Sequence, residues 1–157
     1  MKKFTVIGAG LAGCEAAWQI AEAGYEVTLF EMKPEKFSPA HKNKNFAELV
    51  CSNSLKASRI DSAAGLLKEE MARLGSLTVP VARNCAVPAG GALAVDRNEF
   101  SQTVTDMINS HPNITVKNKL VEEISPDDDE ILIIATGPLT EGKLGEEIQK
   151  LCGDYLS

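Results

Sequence analysis

Phe4-Thr5-Val6-Ile7 leads directly into Gly8-Ala9-Gly10-Leu11-Ala12-Gly13, so a short apolar run ends in a Gly-x-Gly-x-x-Gly motif. The motif alone is weak evidence, because glycine-rich hexapeptides also arise by chance. Here a helical pattern follows and ends at Gly24, and a second apolar run ends at Glu31. The helix carries small apolar residues at helical spacing: Ala16, Ala17, Ile20 and Ala21. Strand, glycine turn, helix and strand together predict a nucleotide-binding βαβ unit.

The glycines and the acidic residue each have a predicted role in this unit. Gly8 is expected to adopt a backbone conformation closed to other residues, Gly10 to let the backbone approach a pyrophosphate, and Gly13 to let helix and strand pack closely. The helix N-terminus then favours an anionic diphosphate. Glu31 can accept hydrogen bonds from both ribose hydroxyls. The candidate cofactor-binding residues are therefore Gly8, Ala9, Gly10, Leu11, Ala12, Gly13 and Glu31; a turn that binds no ligand is the alternative.

Composition fits one α/β domain. The chain has 157 residues, 44% of them hydrophobic and 24% charged, which excludes disordered and fibrous classes. A net charge of -6 gives no overall basic footprint, so any contact with nucleic acid must be local. The four cysteines lie far apart without a Cys-x-x-Cys pair, which argues against structural zinc and favours a reducing compartment. Since no apolar stretch approaches membrane-spanning length, we expect a soluble, cytoplasmic protein with no metal and no membrane partner.

The stretch 32–53 is rich in Lys, Pro and Asn and predicts a loop-dominated insertion. Its basic residues are interpreted as a solvated loop, with a phosphate-facing patch as the alternative: Lys33, Lys36, His41, Lys42 and Lys44. A helix is predicted after Asp61 or Ser62, ending at Gly75, and 80–91 is predicted to be irregular. The apolar face of this helix would consist of Ala63, Leu67, Met71 and Leu74.

Strands and helices alternate again in the remainder of the chain. Asp96 and Glu99 have capping-box spacing before a helix that carries Phe100, Val104, Met107 and Ile108. A last helix carries Leu144, Ile148 and Leu151. We predict strands over Ala92–Val95, 114–116, 120–124 at an edge, and 131–134 buried on both faces, with an acidic turn at 126–129. The predicted fold is a Rossmann-like, doubly wound parallel sheet with a loop-rich insertion and a small antiparallel addition.

The strand over 131–134 ends in Ala135-Thr136-Gly137. Beside the first strand, this end reaches the glycine loop, although on spacing alone it could be a simple strand-to-helix turn. Together with Glu31 it resembles flavoproteins with two dinucleotide-binding domains, in which the first strand-loop-helix holds the ADP half of FAD and an Ala-Thr-Gly strand lies against the cofactor. That resemblance implies FAD rather than NAD. It adds Val121, Thr136 and Gly137 to the candidate cofactor-binding residues.

Four longer motifs indicate a particular family of flavoproteins. They are Pro39-Ala40-His41, Phe46-Ala47-Glu48-Leu49-Val50-Cys51-Ser52-Asn53-Ser54-Leu55-Lys56, Leu67-Lys68-Glu69-Glu70-Met71 and Val87-Pro88-Ala89-Gly90-Gly91-Ala92-Leu93-Ala94-Val95-Asp96-Arg97. Over essentially the whole chain, these motifs resemble the bacterial folate- and FAD-dependent tRNA (uracil-5-)-methyltransferases. Gly13-Cys14-Glu15-Ala16-Ala17 is also shared with the GidA-type flavoproteins that modify the tRNA wobble uridine. Those proteins carry a Cys-Asn-Pro-Ala-Ile-Gly-Gly type of segment at 51–56, which makes them the second choice.

The resemblance implies a reductive methylation. NAD(P)H reduces the flavin, methylenetetrahydrofolate donates a one-carbon unit, and that unit becomes the methyl group on C5 of a T-loop uridine in tRNA. Uracil C5 is a poor nucleophile until a group such as a thiolate adds to C6. The family uses two cysteines, and the one in its Val-Cys-Ser-Asn-Ser motif corresponds to Cys51. Either cysteine could be the one that attacks uracil. From the residues alone, Cys51 would be a buried small hydrophobe. Cys14 is expected to pack under the glycine loop, and Cys85 and Cys152 have no motif support, so these three are interpreted as structural residues.

Members of this family are much longer than this chain, so the resemblance implies an N-terminal, FAD-binding portion over 1–157, with an insertion at about 32–95. We expect this portion alone to fold at least partly, to retain FAD weakly or not at all, and to be catalytically silent. Two other functions stay open. A pyridine-nucleotide flavin oxidoreductase of disulfide-reductase type is disfavoured because the chain has no Cys-x-x-x-x-Cys pair; a noncatalytic FAD-binding module is the other.

Overall fold

The computed structural model describes residues 2–125 and 129–153, and contains two sheets and five helices within those ranges. In chain order the elements are β1 (Lys3–Ile7), α1 (Leu11–Glu22), β2 (Val27–Glu31), β3 (Ser54–Ala57), α2 (Ala63–Arg73), α3 (Thr78–Asn84), β4 (Ala86–Val87), β5 (Ala92–Val95), α4 (Arg97–Ser110), β6 (Ile114–Asn118), β7 (Glu130–Ile134) and α5 (Gly142–Cys152). Among these residues, no helix combines the length and the apolar character needed to cross a membrane.

The central sheet is parallel and has strand order β6-β2-β1-β7. Phe4 of β1 pairs with Val27 of β2 and with Ile131 of β7. The carboxyl ends of these three strands therefore lie side by side, which is where open α/β sheets bind ligands. β3, β5 and β4 form a separate antiparallel sheet. The predicted Rossmann-like fold with a small antiparallel addition is confirmed.

The core lies between the central sheet and the helices α1, α3 and α4. Val6 and Leu29 of the sheet are fully buried, as are Phe100 and Val104 of α4. Asp96 caps α4, since its carboxylate accepts hydrogen bonds from the N–H groups of the first turn. The predicted helix with Asp96 as its cap is therefore confirmed, but the capping box is not completed, because the Asp96 N–H donates to the Cys85 carbonyl oxygen and not to Glu99.

Helix α2 begins as predicted, but its apolar face is largely exposed. The Ser62 hydroxyl caps it by accepting from the Gly65 N–H at 3.1 Å. Leu67 is 56% exposed and Leu74 is 78% exposed. Gly65 is buried, and an added Cβ there would lie 1.8 Å from the carbonyl oxygen of Arg59, in the turn before the helix. The Lys68 ammonium joins α2 to β3 by donating to the Leu55 carbonyl oxygen at 2.7 Å, and the Arg83 guanidinium of α3 donates to the Glu69 carboxylate at 2.9 Å. Helical periodicity predicts an apolar stripe, but it does not determine which side of the helix contacts the rest of the chain.

Three short elements lie in segments for which the sequence predicts either irregular structure or no element. They are α3, β3 and β4. Pro80 is accommodated because it lies in the first turn of α3, where a missing N–H removes no hydrogen bond within the helix. β3 and β4 are only four and two residues long, and both depend on pairing with β5.

Two predictions for the end of the sheet are wrong. Residues 120–124 form no strand, because β6 and β7 occupy opposite edges of the sheet and the chain between them must cross a sheet face. The strand over 131–134, part of β7, is half-buried along its length rather than buried on both faces, since it lies at an edge. Of the predicted acidic turn, 126–128 lie outside the described residues, and Asp129 is in a turn.

Candidate nucleotide-binding site

The glycine loop has the geometry that the sequence predicts. Gly8 has φ +99°, and a Cβ there would lie 2.7 Å from the Ala135 carbonyl oxygen. A Cβ on Gly13 would lie 1.7 Å from the Gly8 carbonyl oxygen, so only glycine lets α1 approach the loop this closely. A Cβ on Gly10 would meet no atom within 4 Å. Gly8 and Gly13 are thus required by packing within the chain, whereas Gly10 faces open space.

The N-terminus of α1 is suited to an anion. Gly10 is its N-cap residue and provides no side-chain acceptor for the first N–H groups. The first turn contains no acidic residue that would repel a phosphate. Leu11 and Ala12, which begin the helix, are exposed. Free N–H groups and the positive end of the helix dipole therefore point to an accessible surface beside Gly10.

Glu31 lies directly beside the glycine loop. It is only 6% exposed. Its carboxylate accepts hydrogen bonds from the Ala9 N–H at 2.8 Å and from the Lys33 N–H at 2.9 Å. The acidic residue at the end of β2 therefore also holds the loop in place. Each carboxylate oxygen accepts more than one hydrogen bond, so capacity remains for ribose hydroxyls.

The predicted Ala-Thr-Gly segment meets the same loop. The Ala135 N–H donates to the Ile7 carbonyl oxygen at 2.8 Å, next to Gly8. The hydroxyls of Thr136 and Thr140 lie 2.6 Å apart, and Gly137 has φ +78°. The structure thus brings together the glycine loop, Glu31 and the 135–137 segment.

Val121 lies apart from this cluster. It lines a cavity of about 380 Å³ under the segment that crosses the sheet, together with Thr5, Ile7 and Phe30. Strand alternation directs Thr5 and Ile7 to the face opposite Val6 and α1. Val121 therefore lies on the other side of the sheet from the helix that follows the glycine loop.

Cys51 is exposed, contrary to the expectation from the residues alone. Its carbonyl oxygen accepts a long hydrogen bond from the Arg97 guanidinium at 3.5 Å. No hydrogen bond among residues 2–125 and 129–153 joins Cys51 directly to the glycine loop. By contrast, Cys14 is buried under that loop, and burial raises the pKa of its thiol to about 12, with the nearby Glu31 charge adding to the shift. Cys85 is also buried and Cys152 is exposed.

Comparison with known proteins shows the family to which this chain belongs. The family model of glucose inhibited division protein A (GidA) matches residues 3–150, nearly the whole chain. The chain belongs to the GidA family. A solved member, GidA of Aquifex aeolicus, has the same fold: its form I crystal structure superposes with a TM-score of 0.69 at 15% identity, covering 87% of this chain and 25% of that chain.

Curated relatives are more similar in sequence to this GidA-family chain than the solved Aquifex aeolicus protein is. The protein from Enterococcus faecalis described as methylenetetrahydrofolate--tRNA-(uracil-5-)-methyltransferase TrmFO is 59% identical over 152 residues, which is 97% of this chain and 34% of the relative. A relative of the same description from Acetivibrio thermocellus is 57% identical over 149 residues, 95% of this chain and 34% of the relative. The resemblance to these methyltransferases is confirmed. The chain spans about a third of the length of the curated relatives that it matches.

The GidA-family chain also contains structural residues that the sequence pattern does not reveal. Glu15 lies on α1, but its carboxylate accepts hydrogen bonds from Ser76, Leu77 and Thr78 at the start of α3. Lys33, predicted to belong to a solvated basic loop, is only 4% exposed. The only sequence feature that points to Glu15 is its position in a motif shared with GidA-type proteins. No local sequence feature indicates that Lys33 is buried.

Proposed function

We propose that this chain is the FAD-binding part of a folate-dependent tRNA (uracil-5-)-methyltransferase. The meeting of the glycine loop, Glu31 and the 135–137 segment at the carboxyl end of the parallel sheet is the observation that carries the proposal. The 57–59% identity to relatives described as TrmFO supports this activity over others.

The residues at this site fit the adenosine diphosphate half of FAD. The space beside Gly10 admits a pyrophosphate, and the N–H groups of Leu11 and Ala12 would donate hydrogen bonds to it. Glu31 would accept from the ribose hydroxyls, and Thr136 and Gly137 would line the cofactor beyond the loop. When bound, FAD supplies the redox chemistry that converts a methylene unit to a methyl group, with NAD(P)H as reductant and methylenetetrahydrofolate as carbon donor.

Cys51 is the proposed catalytic thiol on this chain. A thiolate that adds to C6 of uracil forms an S–C6 bond and moves the C5–C6 electron pair toward C5 and O4, which makes C5 nucleophilic. After C5 gains its substituent, loss of the C5 proton expels the thiolate and restores the ring. This chemistry requires a thiol that a T-loop uridine can reach, and the exposed position of Cys51 supports that role.

The test is a methyl-transfer assay with a full-length protein that contains this chain, using tRNA lacking 5-methyluridine, methylenetetrahydrofolate and NAD(P)H. We expect 5-methyluridine in the T loop. Cys51→Ser should abolish the product and leave FAD binding intact, because an alcohol is almost never ionised at neutral pH. Cys152→Ser is the matched control, since it removes the other exposed thiol. Normal methylation by Cys51→Ser would contradict the proposed role.

Wobble-uridine modification is the second candidate, and the match to the GidA family model is the observation that favours it. The same assay separates the two functions, because mapping the modified nucleotide distinguishes the T loop from the anticodon. Modification confined to the anticodon would replace the first proposal with the second.

A further inference from the structure

Lys33 places a positive charge inside the protein. Its side chain is only 5% exposed. The ammonium donates hydrogen bonds to the backbone carbonyl oxygens of Asn43, at 3.2 Å, and Asn45, and it lies 3.8 Å from Oε2 of Glu48. The groups that stabilise this buried charge thus belong to one short segment, 43–48, which we name the cover loop.

Glu48 depends on Lys33 in turn. Its Oε1 accepts hydrogen bonds from the N–H groups of Lys42 and Asn43 at 3.0 and 3.1 Å. Its Oε2 is buried and has no hydrogen-bond partner within the described part of the chain. At 3.8 Å the Lys33 ammonium is too distant for a hydrogen bond, so its charge is what compensates this oxygen. Removing one member of such a pair leaves the other buried and uncompensated, which is strongly destabilising.

The cover loop contacts the glycine loop. Ala47 is fully buried, and its N–H donates to the Ala9 carbonyl oxygen at 2.9 Å. It has φ +50°, a conformation that is uncommon outside glycine and persists only when surrounding contacts enforce it. The N–H of Phe46 donates to the Thr105 hydroxyl at 2.8 Å, which fixes the same loop to α4. The cover loop thus packs directly against the glycine loop.

Lys33 also contacts the other side of the site. Its own N–H donates to Oε1 of Glu31, the carboxylate that holds Ala9. Cys51 follows Glu48 by three residues. We propose that Lys33 is a positioning residue, whose buried ion pair with Glu48 ties the cover loop, and the Cys51 segment after it, to the glycine loop and Glu31. The loop-anchoring role stands on the contacts alone; its relevance to FAD and Cys51 rests on the proposed function.

Hydrogen exchange of this chain tests the anchoring role. In Lys33→Met, the hydrogen-bonded amides of Asn43, Asn45, Phe46 and Ala47 should exchange at least about tenfold faster while those of β1 are unchanged. The reason is that the partly buried Glu48 carboxylate is best solvated by opening the cover loop. Lys36→Met is the matched control, since it removes an exposed lysine of the same stretch, and it should exchange like the wild type. Lys33→Arg keeps the charge and should restore slow exchange.

The double variant Lys33→Met/Glu48→Gln makes the test independent of global unfolding. This variant leaves no buried charge without a partner. Its cover-loop amides should therefore exchange more slowly, or its free energy of unfolding should be larger, than in Lys33→Met alone. Wild-type exchange at the hydrogen-bonded amides of the cover loop in Lys33→Met would overturn the proposal, and so would a double variant whose amides exchange as fast as those of Lys33→Met. FAD titration of a full-length protein that contains this chain is a separate readout: Lys33→Met should bind more weakly than Lys36→Met. If the full-length wild type binds no FAD, the proposed function fails while the exchange result still decides the anchoring role.

Discussion

Replacing Glu15 by Gln tests how α1 holds α3. The carboxylate accepts from the N–H groups of Leu77 and Thr78 at 3.0 and 3.1 Å, and from the hydroxyls of Ser76 and Thr78 at 2.9 Å each. Oε1 also accepts from the Gln19 amide at 3.1 Å. Gln keeps one acceptor oxygen, and with this oxygen in the Oε2 position its NH₂ group faces the Leu77 N–H and the Gln19 amide, so two bonds are lost. A hydrogen bond to a charged group contributes about 1.5 kcal/mol or more, so the unfolding free energy should fall by about 3 kcal/mol.

The same contacts predict a pH dependence. Burial raises the pKa of the Glu15 carboxyl, but the hydrogen bonds from Thr78, Gln19 and Ser76 outweigh burial and leave the pKa below its ordinary value. A carboxyl with a lowered folded pKa stabilises the fold fully above its unfolded pKa of about 4.3, and that contribution is lost as pH falls through the folded pKa. The stability difference between wild type and Glu15→Gln should therefore be largest at neutral pH and shrink in acid.

Urea unfolding of the chain, followed by circular dichroism at about pH 7 and about pH 3.5, measures both effects. Glu70→Gln is the matched control, because Glu70 is exposed on α2 and its change should stay within about 0.5 kcal/mol of wild type. A Glu15→Gln loss no larger than that of the control would refute the reasoning, as would a difference that persists undiminished at acid pH.

Three further outcomes are expected. Iodoacetamide should label Cys51 and Cys152 in the folded chain, whereas the two buried cysteines should react only after denaturation, as mass spectrometry of the peptides would show. Gly13→Ala should lower the unfolding free energy by at least about 2 kcal/mol in a urea melt, because its Cβ would lie 1.7 Å from a backbone oxygen. In a full-length protein, Glu31→Ala should weaken FAD binding by about 1.5 to 3 kcal/mol in a fluorescence titration, through lost ribose hydrogen bonds.

The βαβ unit could be predicted from the sequence because its determinants are local. The order of strand, glycine loop and helix fixes the turn, and the collisions at Gly8 and Gly13 show why no other residue serves there. The caps of α2 and α4 are equally local, since Ser62 and Asp96 bond to N–H groups within three residues.

The remaining features depend on contacts between distant segments, which periodicity and propensity do not contain. Leu67 and Leu74 match a buried stripe, yet both are exposed, and α2 is joined to β3 and α3 by hydrogen bonds of Lys68 and Glu69. The 120–124 segment has the composition of a strand but crosses the sheet instead of joining its edge. Lys33 is buried because Glu48 and two carbonyl groups surround it in the folded chain. Burial of a lysine is rare enough that sequence reasoning favours a solvated position.

The most direct test of the nucleotide site is FAD titration, followed by quenching of flavin fluorescence, of a full-length protein that contains this chain and of two glycine variants of it, Gly10→Val and Gly91→Val. Both glycines have space for a Cβ with no atom within 4 Å, and neither has a positive φ, so both substitutions should leave the fold equally intact. Only Gly10 faces the predicted pyrophosphate. We expect Gly91→Val to bind FAD like the wild type and Gly10→Val to bind at least about tenfold more weakly. Equal affinities for the two variants, or no saturable binding by the full-length wild type, would contradict the assignment of this loop.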